Sequence, residues 1–324
     1  MQNYSLLQQY LHDLVFKNKF INKSLFEIEK LLFLEKMDIK NKIHVFITGL
    51  PRSGTTSILN FIYSSGEFAS LKFSNMPFIL SPNISKFLYK KDIEKKERVH
   101  SDGIKYSLES PEAFDEIFLK SNDIFVKEEL QNYLSLILKS ERKARYLSKN
   151  NLNYRRIDFL VSLFPYSIFL IPVREPLQHS YSLLKQHEHF IKLQQDNNFV
   201  TRYMNYLNHN EFGLNHIPWN KPEKYYDSGD INYWLEQWLI FYENIFAKFN
   251  SHSNCVFLGY EKLSDVDYLK KIIEKINIIS LKKINLNYFK ISRKEIKLTI
   301  DENIYAKAIK IYNKLTSLFL DKTK

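Results

Sequence analysis

The spacing of apolar residues changes period several times along the chain, and each change marks an element. Leu6, Leu7, Tyr10, Leu11, Leu14 and Val15 lie at helical spacing, and Leu25, Ile28, Leu31 and Leu32 resume it after a break near Asn22. Two N-terminal helices are predicted over residues 2–38. Residues 43–48 (IHVFIT) are a short apolar run of strand type. A glycine-bearing turn follows, and then Ile58, Leu59, Phe61 and Ile62 place a buried helix over 55–65. Ser110 or Glu109 could cap a helix over PEAFDEIFLK, with Pro111 in its first position and acidic residues in its first turn. Further helices are predicted over 127–139 and 155–163, with a strand over 145–148.

Residues 167–173 (SIFLIPV) are continuously apolar, as a strand buried on both faces should be. A helix over 176–190 comes next. From 191 to 229 the pattern dissolves into Asn, His, Pro and aromatic residues, which predicts a long irregular insertion on the acceptor side of a site. An aromatic helix over 233–249, a last buried strand over 254–259 and helices over 268–276 and 305–320 complete the chain. Buried strands alternating with helices imply an α/β fold. The sheet should be mostly parallel and covered on both faces, with ligands at the carboxyl ends of its strands. No repeat or low-complexity linker divides residues 1–324, so a single domain is expected, with residues 1–40 as a helical extension.

Composition narrows the classes. With 44% hydrophobic and 26% charged residues, a disordered or fibrous chain is excluded. A single cysteine, Cys255, rules out an intramolecular disulfide and a cysteine-based zinc cluster. The 47 Lys and Arg against 36 Asp and Glu give +11, a balance that suits an anionic ligand, nucleic acid or an acidic membrane surface, but the lysines are scattered over the chain and not gathered in a stripe, so a nucleic-acid role is disfavoured. The first residues lack a positive n-region, an apolar core and a cleavage site, and a cytoplasmic protein is expected. The longest apolar stretch, 159–173, is broken by Pro165 and Pro172 and falls short of the roughly 20 residues that span a bilayer.

Two of the chain's seven glycines fall in Gly49-Leu50-Pro51-Arg52-Ser53-Gly54-Thr55-Thr56, between the first predicted strand and its helix. The outline is that of a phosphate-binding loop, in which backbone amides and a helix N-terminus wrap anionic oxygens. Thr55 stands where a nucleotide hydrolase needs lysine, and neither SIFLIPVRE nor NCVFLGYE ends in the acid that would hold magnesium. A kinase or NTPase is therefore disfavoured, and a non-catalytic basic binding protein that keeps the loop only as scaffold stays open as the alternative of another class. Farther on, the 167–173 strand ends in Arg174, and Ser182 follows eight residues later on the next helix. An arginine and a hydroxyl so placed can converge on one phosphate.

GLPRSGTT resembles the 5′-phosphosulfate loop of sulfotransferases, and strand, Arg174, helix, Ser182 resembles their 3′-phosphate site. Across 43–264, His100–Ile104, Ser110–Ala113, Tyr146–Asn151, Gln186-His187 and Tyr260–Leu263 are similar to blocks of a bacterial subgroup related to the tyrosylprotein and carbohydrate enzymes. The resemblance implies a P-loop NTPase-like three-layer sandwich and 3′-phosphoadenosine 5′-phosphosulfate (PAPS) as donor, with no metal required. It implies that Pro51, Arg52, Ser53, Gly54, Thr55, Thr56, Arg174 and Ser182 hold the donor. Arg52 would stabilise charge on the departing phosphate. A carbohydrate hydroxyl is the favoured acceptor, with protein tyrosine the alternative. The acceptor must lose a proton, and His100 leads as general base, followed by Glu109 and Glu112, because 70–75 lacks the glutamate of the tyrosylprotein branch. His187, His189 and the three tryptophans are further acceptor-side candidates, although Trp234 and Trp238, four apart, suit core packing.

Overall fold

The computed structural model describes residues 6–88, 96–97, 105–121, 127–207 and 209–320. Helices α1 (Leu6–Lys17) and α2 (Lys19–Phe33) open the chain. They break at Asn18 and not near Asn22, because the Asn18 side chain accepts from the amides of Phe20 and Ile21 and so caps α2. Strand β1 (Val45–Ile47), helix α3 (Thr55–Tyr63), strand β2 (Phe68–Ala69) and helix α4 (Pro82–Leu88) follow. β3 (Lys96–Glu97) and β4 (Lys105–Tyr106) form a small antiparallel pair. Helices α5 (Asp115–Ser121) and α6 (Lys127–Glu141) lead to β5 (Arg145–Lys149), a 3-10 turn at Asn151–Arg156 and α7 (Ile157–Leu163). Then come β6 (Ile168–Val173), α8 (Pro176–Asp196), α9 (Asn198–Tyr206), α10 (Ile231–Phe249), β7 (Cys255–Gly259), α11 (Val266–Lys275) and α12 (Glu302–Thr316).

The strands β2-β5-β1-β6-β7 form one sheet in that order, every pair parallel. The period of two along the strands divides the core into two layers. Phe46, Phe169, Ile171 and Val173 join one apolar cluster with α6, α8, α10 and α12, while Val45, Ile47 and Leu170 join the other with α3 and α11. This is the expected α/β sandwich of three layers. The N-terminal helices are built into it: Phe26 packs in the larger cluster, and the buried Glu29 carboxylate accepts from the amides of Asn83 and Ile84 at the start of α4. Among the described residues, no helix is long and apolar enough to cross a membrane.

Two other expectations need correction. Residues 111–114 are not helical: Pro111 bridges Lys72 and the Glu112 amide donates to Leu71, so this stretch runs beside the chain that leaves β2. The insertion is also shorter than 191–229. α8 continues to Asp196, and Asn197 caps α9, whose Phe199, Val200, Tyr203 and Met204 are buried on one face. The irregular part begins only after Tyr206 and lasts until α10.

Candidate active site

The turn after β1 owes its shape to positive φ angles at Gly49 (142°), Arg52 (67°) and Gly54 (96°). The left-handed region is uncommon for a residue with a Cβ, and Arg52 adopts it inside a tightly held loop. A Cβ on Gly54 would lie 2.8 Å from the Tyr260 ring, so glycine is needed there for both angle and space. Gly54 is also the N-cap of α3, with no side chain closing the first amides of the helix. Those orphan donors and the helix dipole make this turn receptive to an anion.

Three side chains from distant segments meet at the loop. Arg52 Nε donates to Ser182 Oγ at 3.2 Å, and Arg174 Nη1 donates to the Arg52 carbonyl at 3.3 Å. The Arg174 guanidinium also lies over the Tyr260 ring, 4.7 Å from its centre. Arg52, Gly54, Thr55, Thr56, Arg174 and Tyr260 line one open cleft, together with Ser57. The arginine at the end of β6 and the arginine of the β1 loop thus face the same space, as their spacing predicts. Arg174 is held there because its neighbour Glu175 caps α8, accepting from Gln178 N at 2.7 Å, and receives the Glu261 carboxylate on its own amide at 2.9 Å.

Not every expected residue lines the cleft. Pro51 and Ser53 are buried; the Ser53 hydroxyl donates to the Leu50 carbonyl at 2.7 Å and shapes the turn from within. Glu109 pairs with Lys72 at 2.7 Å, and Lys72 is bound in turn by Glu141 at 3.1 Å, so Glu109 belongs to an ion-pair cluster at the β2 edge. His100 lies outside the described residues. His187 is buried and accepts from the Gly213 amide at 3.2 Å, and all three tryptophans are packed in the core.

Other groups escape sequence reasoning. His179, fully buried on α8, donates from Nε2 to the Pro51 carbonyl at 2.7 Å and braces the loop from beneath. Burial, with Arg174 and Arg52 nearby, holds its pKa down to about 3, so it is neutral. One histidine among nine, five residues past Arg174, carries no signal of that role.

On the opposite side of β1, the carboxyl end of β5 forms a polar recess. Lys149 stands opposite Ile47 in the parallel register, and Thr48 Oγ1 ties the two strand ends by donating to the Asn151 carbonyl at 3.2 Å and accepting from Tyr154 N at 2.9 Å. Glu116, Lys149, Asn150, Asn151, His209 and Glu211 line it. Glu116 is committed: Arg156 grips both its oxygens at 2.8 and 3.0 Å, and Asn150 Nδ2 donates at 2.8 Å. Glu112 lies 3.8 Å from the Lys149 ammonium. Beneath them the buried Asp115 carboxyl accepts from Ser148, and burial raises its pKa to about 6.

A sequence profile of the sulfotransferase family matches residues 44–268, which include the loop, both arginines and the recess. The chain belongs to the sulfotransferase family. No curated protein matches it closely enough to add to this. Sulfotransferase STF1 from Mycobacterium tuberculosis shares the fold at 11% identity, with a TM-score of 0.55 over 97% of this chain and 87% of that one. STF9 from Mycobacterium avium is similar at 12% identity over 97% and 78% of the two chains, with a TM-score of 0.44. Sulfotransferases have a P-loop NTPase-like fold, and the β2-β5-β1-β6-β7 sheet with its loop after β1 is this sulfotransferase's version of it.

Proposed function

We propose that this sulfotransferase uses PAPS as donor and transfers its sulfuryl group to a carbohydrate hydroxyl. The observation that carries the reading is the convergence of Arg52 and Arg174, from two strand ends, on one cleft above the α3 N-terminus. In this reading the amides of 52–56 and Arg52 take the 5′-phosphosulfate, and Arg174 takes the 3′-phosphate. Ser182 accepts from Arg52 and still has its own proton to give to an anion. Arg52 then neutralises the phosphate as it departs, while the loop holds the phosphosulfate for in-line attack. Among the described residues, those lining the recess beside β1 offer amide, carboxylate, ammonium and imidazole groups and no phenyl, phenol or indole ring, which favours a polyhydroxylated sugar over a phenol.

Calorimetric titration with adenosine 3′,5′-bisphosphate, ADP and ATP–Mg²⁺ tests the donor. The bisphosphate should bind at least ten-fold more tightly than ADP. Arg174→Ala should weaken it roughly 10- to 100-fold, as loss of a charge-assisted contact does, leaving ADP nearly unchanged. Tightest binding of ATP–Mg²⁺, with no effect of Arg174→Ala, would overturn the reading.

A further inference from the structure

The strand order shows where an acceptor can approach. From β1 the chain crosses to β2 at one edge, passing β5; from β6 it crosses in the opposite direction to β7 at the other edge. Adjacent strands whose crossovers diverge leave a crevice at their carboxyl ends, and such a crevice is where open α/β sheets bind ligands. Here the diverging crossovers are those from β1 and from β6, so that crevice lies between the Arg52 loop and Arg174, and the end of β5, which carries Lys149, flanks it on the other side of β1. The ends of β1 and β5 are one strand spacing apart, about 4.8 Å. Arg174 lies on the far side of β1, at the end of β6. A donor held by Arg174 and the loop leaves the β5 side open to the acceptor.

We infer that His209, in the recess at the end of β5, is the general base that takes the proton from the acceptor hydroxyl. This rests on the sulfotransferase reading above and names a residue for its proton transfer. The choice follows from what its neighbours already do. Glu116 is spent on Arg156 and Asn150, Glu112 faces Lys149, and Lys149 is itself a cation. The His209 amide donates to the Met204 carbonyl at 2.9 Å, fixing the residue just past α9, while among the described residues no hydrogen bond engages its ring. Its surroundings are Glu211, Glu112 and Glu116 on one account and Lys149 on the other, and burial outweighs them, lowering its pKa so that the ring is neutral near pH 7.

The step balances without a further reactant. The acceptor oxygen forms a bond to sulfur as the bond from sulfur to the bridging phosphate oxygen breaks. That electron pair stays on the phosphate, giving adenosine 3′,5′-bisphosphate. The hydroxyl proton passes to His209 and then to solvent.

The test uses the full chain with ³⁵S-labelled PAPS, offering methyl glucoside, methyl N-acetylglucosaminide, a tyrosine peptide and water as acceptors. In His209→Asn and His209→Gln, single-turnover transfer to whichever acceptor the unmodified chain uses should fall 10²- to 10⁴-fold, the usual worth of a general base. The acid limb of the pH–rate profile should vanish, and affinity for adenosine 3′,5′-bisphosphate should stay within two-fold. A rate within three-fold of the unmodified chain, or a loss of bisphosphate affinity parallel to the loss of rate, would overturn the assignment. So would loss of transfer in His100→Asn alone. A second measurement needs no acceptor: the ¹³Cε1 resonance of His209, assigned by its absence in His209→Asn, is titrated with and without PAPS. Its midpoint should move up when the anionic donor binds, and an unmoved midpoint also overturns the assignment. If the bisphosphate itself fails to bind the unmodified chain, the donor reading falls first, independently of His209.

Discussion

β1 separates two regions assembled by different means. On the β6 side, phosphate recognition is compressed into a loop of six residues, the arginine that ends a strand and a serine two turns later. Backbone angles do much of the work there, with Arg52 and Gly54 in the left-handed region and the α3 amides open at a glycine cap. On the β5 side, the recess draws Glu112 from the chain before α5, Glu116 from the first turn of α5, Lys149 and Asn150 from the strand end, and His209 and Glu211 from the turn after α9. In the proposed reading, the first region binds a constant group with constant backbone geometry. The second, as the proposed acceptor side, would have to fit a particular acceptor, and its side chains are brought together only by the fold.

The largest test of this contrast is Arg52→Ala. If charge development is met on the loop side, the variant should lose roughly 10²–10³ in kcat/KM, as removal of one electrostatic donor in a preorganised site does. Thermal unfolding should change little, because the Arg52 side chain is only part-buried, at the wall of an open cleft. A variant retaining near-normal kcat/KM would show that the β5 side alone supports transfer, and the contrast would collapse.

The two regions also respond to pH with opposite signs. His179, under the loop, has a pKa lowered to about 3 in the folded chain, against 6.5 in the unfolded one. The unfolded state therefore binds more protons below pH 6.5, and stability falls on acidification through that window. Asp115, under the β5 end, has its pKa raised to about 6, against 3.8 unfolded. The folded state binds more protons between those values, so its contribution is complete below pH 3.8 and is lost as pH rises through 6. That contribution amounts to about 3 kcal/mol. Urea unfolding between pH 4 and 7 separates the two. Asp115→Asn should make the rise of stability with pH steeper than in the unmodified chain, and His179→Gln should make it shallower. Equal slopes in all three chains would show that neither group is held as its burial implies.

The same contrast explains what could be read from the sequence. β1, its loop and α3 are legible because period, glycine placement and chemistry coincide within 20 residues, and β6 with Arg174, α8 and Ser182 is legible for the same reason. Ser53 is placed correctly in the turn, but its inward hydroxyl is set by the Leu50 carbonyl, which no spacing reveals. The pattern PEAFDE reads as a capped helix. Pairing of Pro111 with Lys72 and of Glu112 with Leu71 overrides that local preference and turns Glu112 toward Lys149. The stretch 191–206 looks irregular because its apolar residues are aromatic and sparse, yet one buried face suffices to make α9. Its end sets the position of His209, so an error in the helix hides the acceptor side.

The smallest expected effect falls on Tyr260, where the loop side relies on a side chain from a third strand. Its ring fills the space that a Cβ on Gly54 would occupy and lies beneath the Arg174 guanidinium. A cation over an aromatic face contributes about 0.5–1 kcal/mol at a partly exposed site. Tyr260→Leu keeps an apolar contact for Gly54 but removes the ring's negative face. It should therefore weaken adenosine 3′,5′-bisphosphate two- to five-fold in calorimetry, while leaving ADP and the rate at saturating donor nearly unchanged. A loss as large as that of Arg174→Ala would mean that Tyr260 positions Arg174 and does not merely attract it. Phosphate recognition would then depend on β7 as well, and the loop side would be no more local than the recess.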